Sequence, residues 1–174
     1  MAVFPSGLLP KITHGVLSLP GPGSGVAVIG PLIALVALLN YLLVRKQGTM
    51  LLCCVVLGTL HSIFMQEVFP SARTVGTVGP LPLRILAVIL LGMALELTTW
   101  LLALRTPWLR YLASAACASL VFLLFYWIVV YPFTNKPPVK LHSGLILGGT
   151  TIIAGALVGG CLPALLDRAR HRQA

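Results

Sequence analysis

Acidic residues are scarce in this sequence. It has three Asp and Glu against twelve Lys and Arg, and only 9% of its 174 residues are charged. A water-soluble domain usually has about a quarter charged residues, which keep its surface wetted. Since 58% of the residues are hydrophobic, this shortage of charge argues against a soluble domain and predicts an integral membrane protein.

Recognisable cysteine frameworks and catalytic motifs are missing as well. Cys53, Cys54, Cys117 and Cys161 all lie within apolar runs, where Cys behaves as a small hydrophobic residue. Their spacing matches neither a disulfide framework nor a metal site. No HExxH, GxSxG or P-loop motif occurs, and the four histidines are scattered. We therefore expect no enzyme, no cofactor and no metal site.

The net charge of +9 resembles that of a nucleic-acid-binding protein until its placement is considered. Lys and Arg occur in short clusters between long apolar runs and do not follow one face of a helix. Such clusters are typical of loops that set membrane topology beside anionic lipid head groups. We expect membrane lipid as a partner and no nucleic acid.

Five apolar runs are long enough to cross a bilayer, which takes about 20 helical residues. They cover residues 26–44, 49–69, 83–104, 111–131 and 144–166. Turn residues and basic clusters separate them, so the chain is expected to fold as an all-α, polytopic transmembrane helical bundle with five spans. Residues 167–174 are expected to form a basic C-terminal tail.

The first 25 residues leave a sixth span open. This segment is apolar but short, and Pro5, Pro10, Lys11 and His14 interrupt it. Its length favours an interfacial or re-entrant segment over a broken sixth span.

The distribution of Lys and Arg predicts the orientation. One side of the membrane would hold Arg45, Lys46, Arg105, Arg110, Arg168, Arg170 and Arg172. The other side would hold Lys11, Arg73, Arg84, Lys136 and Lys140. Seven residues against five favour a cytoplasmic location for the first side, and hence for the C-terminus of a multi-pass protein of the cell membrane.

Small residues recur at helical spacing in two of the spans. They are Gly144, Gly148, Gly155 and Gly159 in the fifth span, and Gly30 and Ala34 in the first. Small residues four apart allow helix backbones to approach closely. We interpret both sets as surfaces for helix packing or for docking of a partner subunit.

Two ionisable residues, His61 and Glu96, lie well inside predicted spans. A charge within lipid costs about 3 kcal/mol even on permissive scales, so such groups are candidates for a functional role. Because the second and third spans are antiparallel neighbours, the two side chains could pair across about 6 Å of depth. Alternatively, each satisfies an interhelical hydrogen bond. Thr99 and Trp100 extend the polar patch around Glu96.

Gly23 and Ser24 belong to a Gly- and Pro-rich stretch, residues 20–25, directly before the first span. Such a stretch forms a tight turn into the membrane, or a floor over a cavity where backbone N–H groups contact a polar ligand.

The turn Val44-Arg45-Lys46-Gln47-Gly48-Thr49 and the later Leu95-Glu96-Leu97-Thr98-Thr99-Trp100, together with the glycine-rich entry, resemble S components of energy-coupling-factor vitamin transporters. The likeness is to the hydroxymethylpyrimidine/thiamine group, although Gln47 stands where that group tends to have Pro. It implies a transmembrane coupling subunit and cytoplasmic ATPases as partners. It also implies that Glu96, Thr99 and Trp100 contact a small cationic or aromatic ligand.

Three functional hypotheses follow. The first is a membrane-embedded substrate-binding subunit of a small-molecule transporter, with Glu96, His61, Thr99, Trp100, Gly23 and Ser24 as ligand contacts. The second is an accessory or assembly subunit of a larger membrane complex. The third is a small membrane enzyme that uses His61 and Glu96 as acid and base.

Overall fold

A computed structural model describes residues 24–68, 80–133 and 141–173 of the chain. These ranges are helical apart from short turns, and they contain no strand. The helices are α1 (Ser24–Val44), α2 (Thr49–Val68), α3 (Leu81–Leu101), α4 (from Pro107–Phe125 through Tyr126–Val130 to Tyr131–Phe133) and α5 (Leu141–Ala154, Gly155–Gly160 and Cys161–Gln173). The protein is therefore an all-α helical bundle, as predicted.

Proline explains where two of the helices begin. α3 follows Pro80 and has Pro82 in its first turn, and α4 begins at Pro107 itself, four residues before the predicted start at Tyr111. Proline is well tolerated in a first helical turn because the N–H group that it lacks would have no intrahelical partner there. The sequence prediction started the span at the first long apolar stretch and so missed this turn.

The last two helices each contain a π-helical segment, Tyr126–Val130 in α4 and Gly155–Gly160 in α5. Beyond its segment, α5 continues as an α-helix to Gln173. Residues 167–173, which the sequence prediction assigned to a basic tail, are therefore the last turns of α5. Of the predicted interfacial or re-entrant segment, residues 1–25, the last two residues begin α1. The other 23, and with them the question of a sixth span, lie outside the described ranges.

Three of the described helices are long and apolar enough to cross a membrane, Leu81–Leu101, Pro107–Phe133 and Gly144–Arg170. In α1 and α2, the parts whose side chains the structure describes are the apolar stretches Ile29–Val44 and Thr49–Leu60. Large hydrophobic side chains cover the outside of the bundle, as lipid contact requires. These features indicate a membrane protein.

Close backbone contacts hold the helices together. α1 packs against α2, α4 and α5, while α2 packs on α3, α3 on α4, and α4 on α5. A Cβ added to Gly92 of α3 would lie 2.9 Å from the Cα of Leu51 in α2, and one added to Gly160 of α5 would lie 2.6 Å from the Cα of Leu112 in α4. Glycine at these positions lets neighbouring helix backbones approach this closely.

This packing brings the C-terminal ends of α1, α3 and α5 to the same end of the bundle as the N-terminal ends of α2 and α4. We call it the basic end, because Arg45, Arg105, Arg110 and Arg168 all line one cavity there.

Candidate functional site: an arginine-lined cavity at the basic end

The turn between α1 and α2 lies at the basic end, where Arg45 lines the cavity. The N–H of Arg45 donates to the carbonyl of Tyr41 (2.7 Å), which closes α1. Arg45 has a left-handed backbone conformation with φ of 55°, and Gly48 follows with φ of 83°. Glycine usually takes the left-handed position after a helix, since other L-residues are strained there. At Arg45 a non-glycine residue has this conformation.

The side chain of Arg45 forms an ion pair with Asp167, which belongs to the last turns of α5. The Arg45 guanidinium binds one carboxylate oxygen of Asp167. The other oxygen accepts a hydrogen bond from the hydroxyl of Tyr111 in α4 (3.2 Å). The side chain of Asp167 is only 4% exposed, against 36% for Arg45. Asp167 thus joins three helices through a carboxylate that is removed from water.

Arg110, in the first turns of α4, is held in place by several groups. Its Nη2 donates to the hydroxyl of Tyr41 (2.9 Å), and its Nε donates to the backbone carbonyl of Thr99 (3.2 Å). The guanidinium also lies 5.6 Å from the ring centroids of both Tyr41 and Tyr111, within the range of cation–π attraction. These contacts fix the position of a positive charge at the mouth of the bundle.

The arginines surround an open cavity of about 540 Å³. Its lining residues are Arg45, Ala103, Arg105, Pro107, Arg110, Asp167 and Arg168. Four arginines and one aspartate give the lining a formal charge of +3 (4 − 1). Arg105 and Arg168 are exposed. An arginine fork matches the geometry of phosphate and carboxylate oxygens, so this cavity is suited to an anionic group.

Glu96 lies on the other side of the same turn and has a different role. Its Oε1 accepts backbone N–H groups at the start of α2, from Met50 (3.0 Å) and from Leu51 (3.4 Å). The first N–H groups of a helix have no intrahelical acceptor, and the helix dipole favours negative charge there. The structure therefore shows Glu96 in an interhelical hydrogen bond, one of the two alternatives that the sequence left open.

Of the residues predicted around Glu96, Thr99 shares the neighbour Met50 with it, and Trp100 faces outward. Thr99 is buried with its hydroxyl 4.0 Å from the sulfur of Met50, while Trp100 is 63% exposed on the outside of α3. His61 lies eleven residues after Met50 in α2. At a rise of about 1.5 Å per residue, this places it about 16 Å further along the helix axis. The side chains of His61 and Ser24, and Gly23 as a whole, lie outside the described part of the structure, so their predicted roles stay predictions.

The small residues of α1 pack inside the bundle. Ala34 is fully buried. A Cβ added to Gly30 would lie 3.1 Å from the ring of Phe122 in α4.

The glycines of α5 differ from one another. A Cβ on Gly155 or Gly159 would come within 2.9 Å of Ala115 in α4, and one on Gly144 within 3.1 Å of the ring of Trp127. At Gly148 the corresponding space is open. Gly144, Gly155 and Gly159 therefore face α4 closely, whereas the Cβ direction of Gly148 is open.

Sequence reasoning counted Arg45, Arg105, Arg110 and Arg168 only as topology-setting charges, and it did not consider Asp167 as a site residue. One signal was available, since Asp167 is the single acid among the arginines that follow the fifth apolar run. Within the described ranges, no group of three or more His, Cys, Asp or Glu side chains could hold a metal ion.

Comparison with known proteins identifies no relative: no family model, no curated protein and no solved structure matches this chain. The resemblance to transporter S components stays a prediction.

Proposed function

We propose that this chain is a multi-pass integral membrane protein that binds a small anionic group in the arginine-lined cavity, at a basic end that faces the cytoplasm. The cavity carries this proposal. It is open, its lining has an excess of three positive charges, and it contains an arginine that neighbouring groups hold in position.

The positions of the acids support an anionic ligand over a cationic one. Asp167 is bound to Arg45 and Tyr111, and Glu96 accepts N–H groups from the start of α2. In this cavity a cation would have to displace the Arg45 contact of Asp167, the one acid of the lining, whereas an anion meets Arg105, Arg110 and Arg168. If the chain is the substrate-binding subunit of a transporter, the first of the three hypotheses from the sequence, this cavity favours an anionic substrate over the cationic or aromatic ligand that the resemblance implies.

Equilibrium binding to the purified chain in neutral detergent tests the proposal, with glycerol 3-phosphate and inorganic phosphate as probes. Arg168→Gln removes an exposed arginine of the lining, and Arg110→Gln removes the ordered one. Charge-assisted hydrogen bonds contribute about 1.5–3 kcal/mol, so each variant should weaken phosphate binding about tenfold or more.

Lys46→Gln is the matched control. Lys46 is an exposed cation of the same turn that does not line the cavity, so its removal should leave the affinity nearly unchanged. Equal affinities for the wild type and both arginine variants would contradict the proposal. An equal loss in Lys46→Gln would also contradict it, because the effect would then come from net charge alone.

A reporter fused to the C-terminus tests the orientation. A reporter that is active only in the cytoplasm should be active in this fusion, because the basic end, where the C-terminus lies, holds the larger share of the Lys and Arg residues. Activity of a reporter that works only outside the cytoplasm would reverse the proposed orientation.

A further inference from the structure

Exposed apolar side chains lie close in the sequence to residues of the cavity lining, on three segments of the chain. They come just before Arg45 at the end of α1, before Arg105 at the end of α3 and in the turn after it, and before Asp167 and Arg168 in α5. These side chains are Leu43, Val44, Leu101, Leu104, Leu165 and Leu166. Leu104 is fully exposed, and both of its neighbours in the sequence, Ala103 and Arg105, line the cavity. We call these six residues the apolar rim.

The depth of the cavity in a membrane follows from the same pattern. Arg45 and Arg105 lie just beyond the last residues of α1 and α3, and Pro107 begins α4. Beyond these helix ends lie charged turns, and on the other side lie apolar helix surfaces of spanning length. A cavity at this boundary is at the level of the lipid head groups.

Since the cavity has a charged interior and an apolar rim, we infer that its ligand is an anionic phospholipid, whose phosphate lies among Arg105, Arg110 and Arg168 and whose acyl chains lie against the apolar rim. This inference rests on the proposed function, because it requires that the cavity binds an anion. A water-soluble phosphate would use the arginines and leave the rim without a role.

The charge of the lining predicts which head group binds best. Arg45 is neutralised by Asp167, which leaves three arginines for the ligand. A terminal phosphate monoester carries about 1.5–2 negative charges near neutral pH, more than a phosphodiester. A choline head group adds a cation that the arginines repel. The expected order of affinity is phosphatidic acid, then phosphatidylglycerol, then phosphatidylcholine.

Lipid titration of the purified full chain, followed by native mass spectrometry, tests this inference with three lipids of identical acyl chains and with glycerol 3-phosphate as the head group without chains. Phosphatidic acid should bind at least about tenfold tighter than phosphatidylcholine or glycerol 3-phosphate, since both the arginines and the rim contribute to it. Arg168→Gln should lower the affinity for phosphatidic acid about tenfold. Lys46→Gln should leave it unchanged.

The variant Leu104→Gln distinguishes binding of a whole lipid from binding of its head group alone. The side chain is fully exposed, so the change should not affect folding. It should weaken the binding of phosphatidic acid and leave glycerol 3-phosphate unaffected. If glycerol 3-phosphate binds as tightly as phosphatidic acid and both depend on Arg168, the lipid inference fails and the proposed anion site stands. If phosphatidic acid binds equally to all variants, or if no probe binds, both fail.

Discussion

Asp167 and Glu96 both bind the turn between α1 and α2, one through a side chain and the other through the backbone. At the start of the turn, Asp167 binds the side chain of Arg45. Just after the turn, Glu96 accepts the backbone N–H groups of Met50 and Leu51. Both acids therefore meet positive charge, in one case a full guanidinium charge and in the other the partial charge of a helix N-terminus.

This difference determines how each region tolerates substitution. The Asp167 contact depends on the residue types at positions 45 and 111, whereas the Glu96 contact depends only on α2 beginning where it does. Only the Asp167 contact also belongs to the cavity, since Arg45 and Asp167 are part of its lining. In a chain with three acids, two thus stabilise the basic end, and the comparison can be tested by removing each in turn.

The largest effect is expected for Asp167→Ala. Removing one partner of a buried ion pair costs about 3–5 kcal/mol, and the partial exposure of Arg45 places the loss near the lower limit. Asp167→Asn should cost less, because its amide oxygen can still accept the hydrogen bond from Tyr111. Unfolding in mixed detergent micelles measures the stability of both variants. If Asp167→Ala were as stable as the wild type, the ion pair would not contribute to stability.

A smaller effect is expected for Gly160→Ala, which should disturb the Asp167 region alone. The added Cβ would lie 2.6 Å from the Cα of Leu112, so α5 must shift away from α4. Overpacking of this kind costs about 1–3 kcal/mol. Gly148→Ala is the matched control, because its Cβ would enter open space in the same helix. Similar unfolding midpoints for the two variants would show that α4 and α5 are not in tight contact.

Glu96→Ala should cost about 1–2 kcal/mol, in the range of other losses of helix N-terminal acceptors. Glu96→Gln retains a side-chain oxygen for Met50 and should cost less than half as much. Neither variant should change phosphate binding, because Glu96 does not line the cavity. Loss of phosphate binding in Glu96→Gln, with unfolding unchanged, would restore the ligand role that the sequence suggested for this residue.

The fold was predictable because apolar run length and turn residues are local properties of the sequence. α1 and α2 end within one residue of the predicted spans. α4 begins four residues before the predicted span because proline fits the first turn of a helix as well as it fits a loop.

The cavity was not predictable for a different reason. The partners of Asp167 lie 122 and 56 residues away in the sequence, at Arg45 and Tyr111. No local pattern connects these positions. The ligand role of Glu96 stays a prediction, and the partners that the structure shows for this residue are backbone N–H groups, which leave no mark on residue type.

The smallest expected effect on stability concerns the backbone of Arg45. This residue has a left-handed conformation while its side chain binds Asp167. Arg45→Ala and Arg45→Gly both remove the ion pair, but only glycine adopts a φ of 55° without strain. Arg45→Gly should therefore be more stable than Arg45→Ala by about 1 kcal/mol, a difference that comes from the turn alone. Equal unfolding midpoints would show that the turn relaxes once Asp167 no longer holds it. In that case the ion pair, and not the end of α1, would set the conformation at the Asp167 side of the turn.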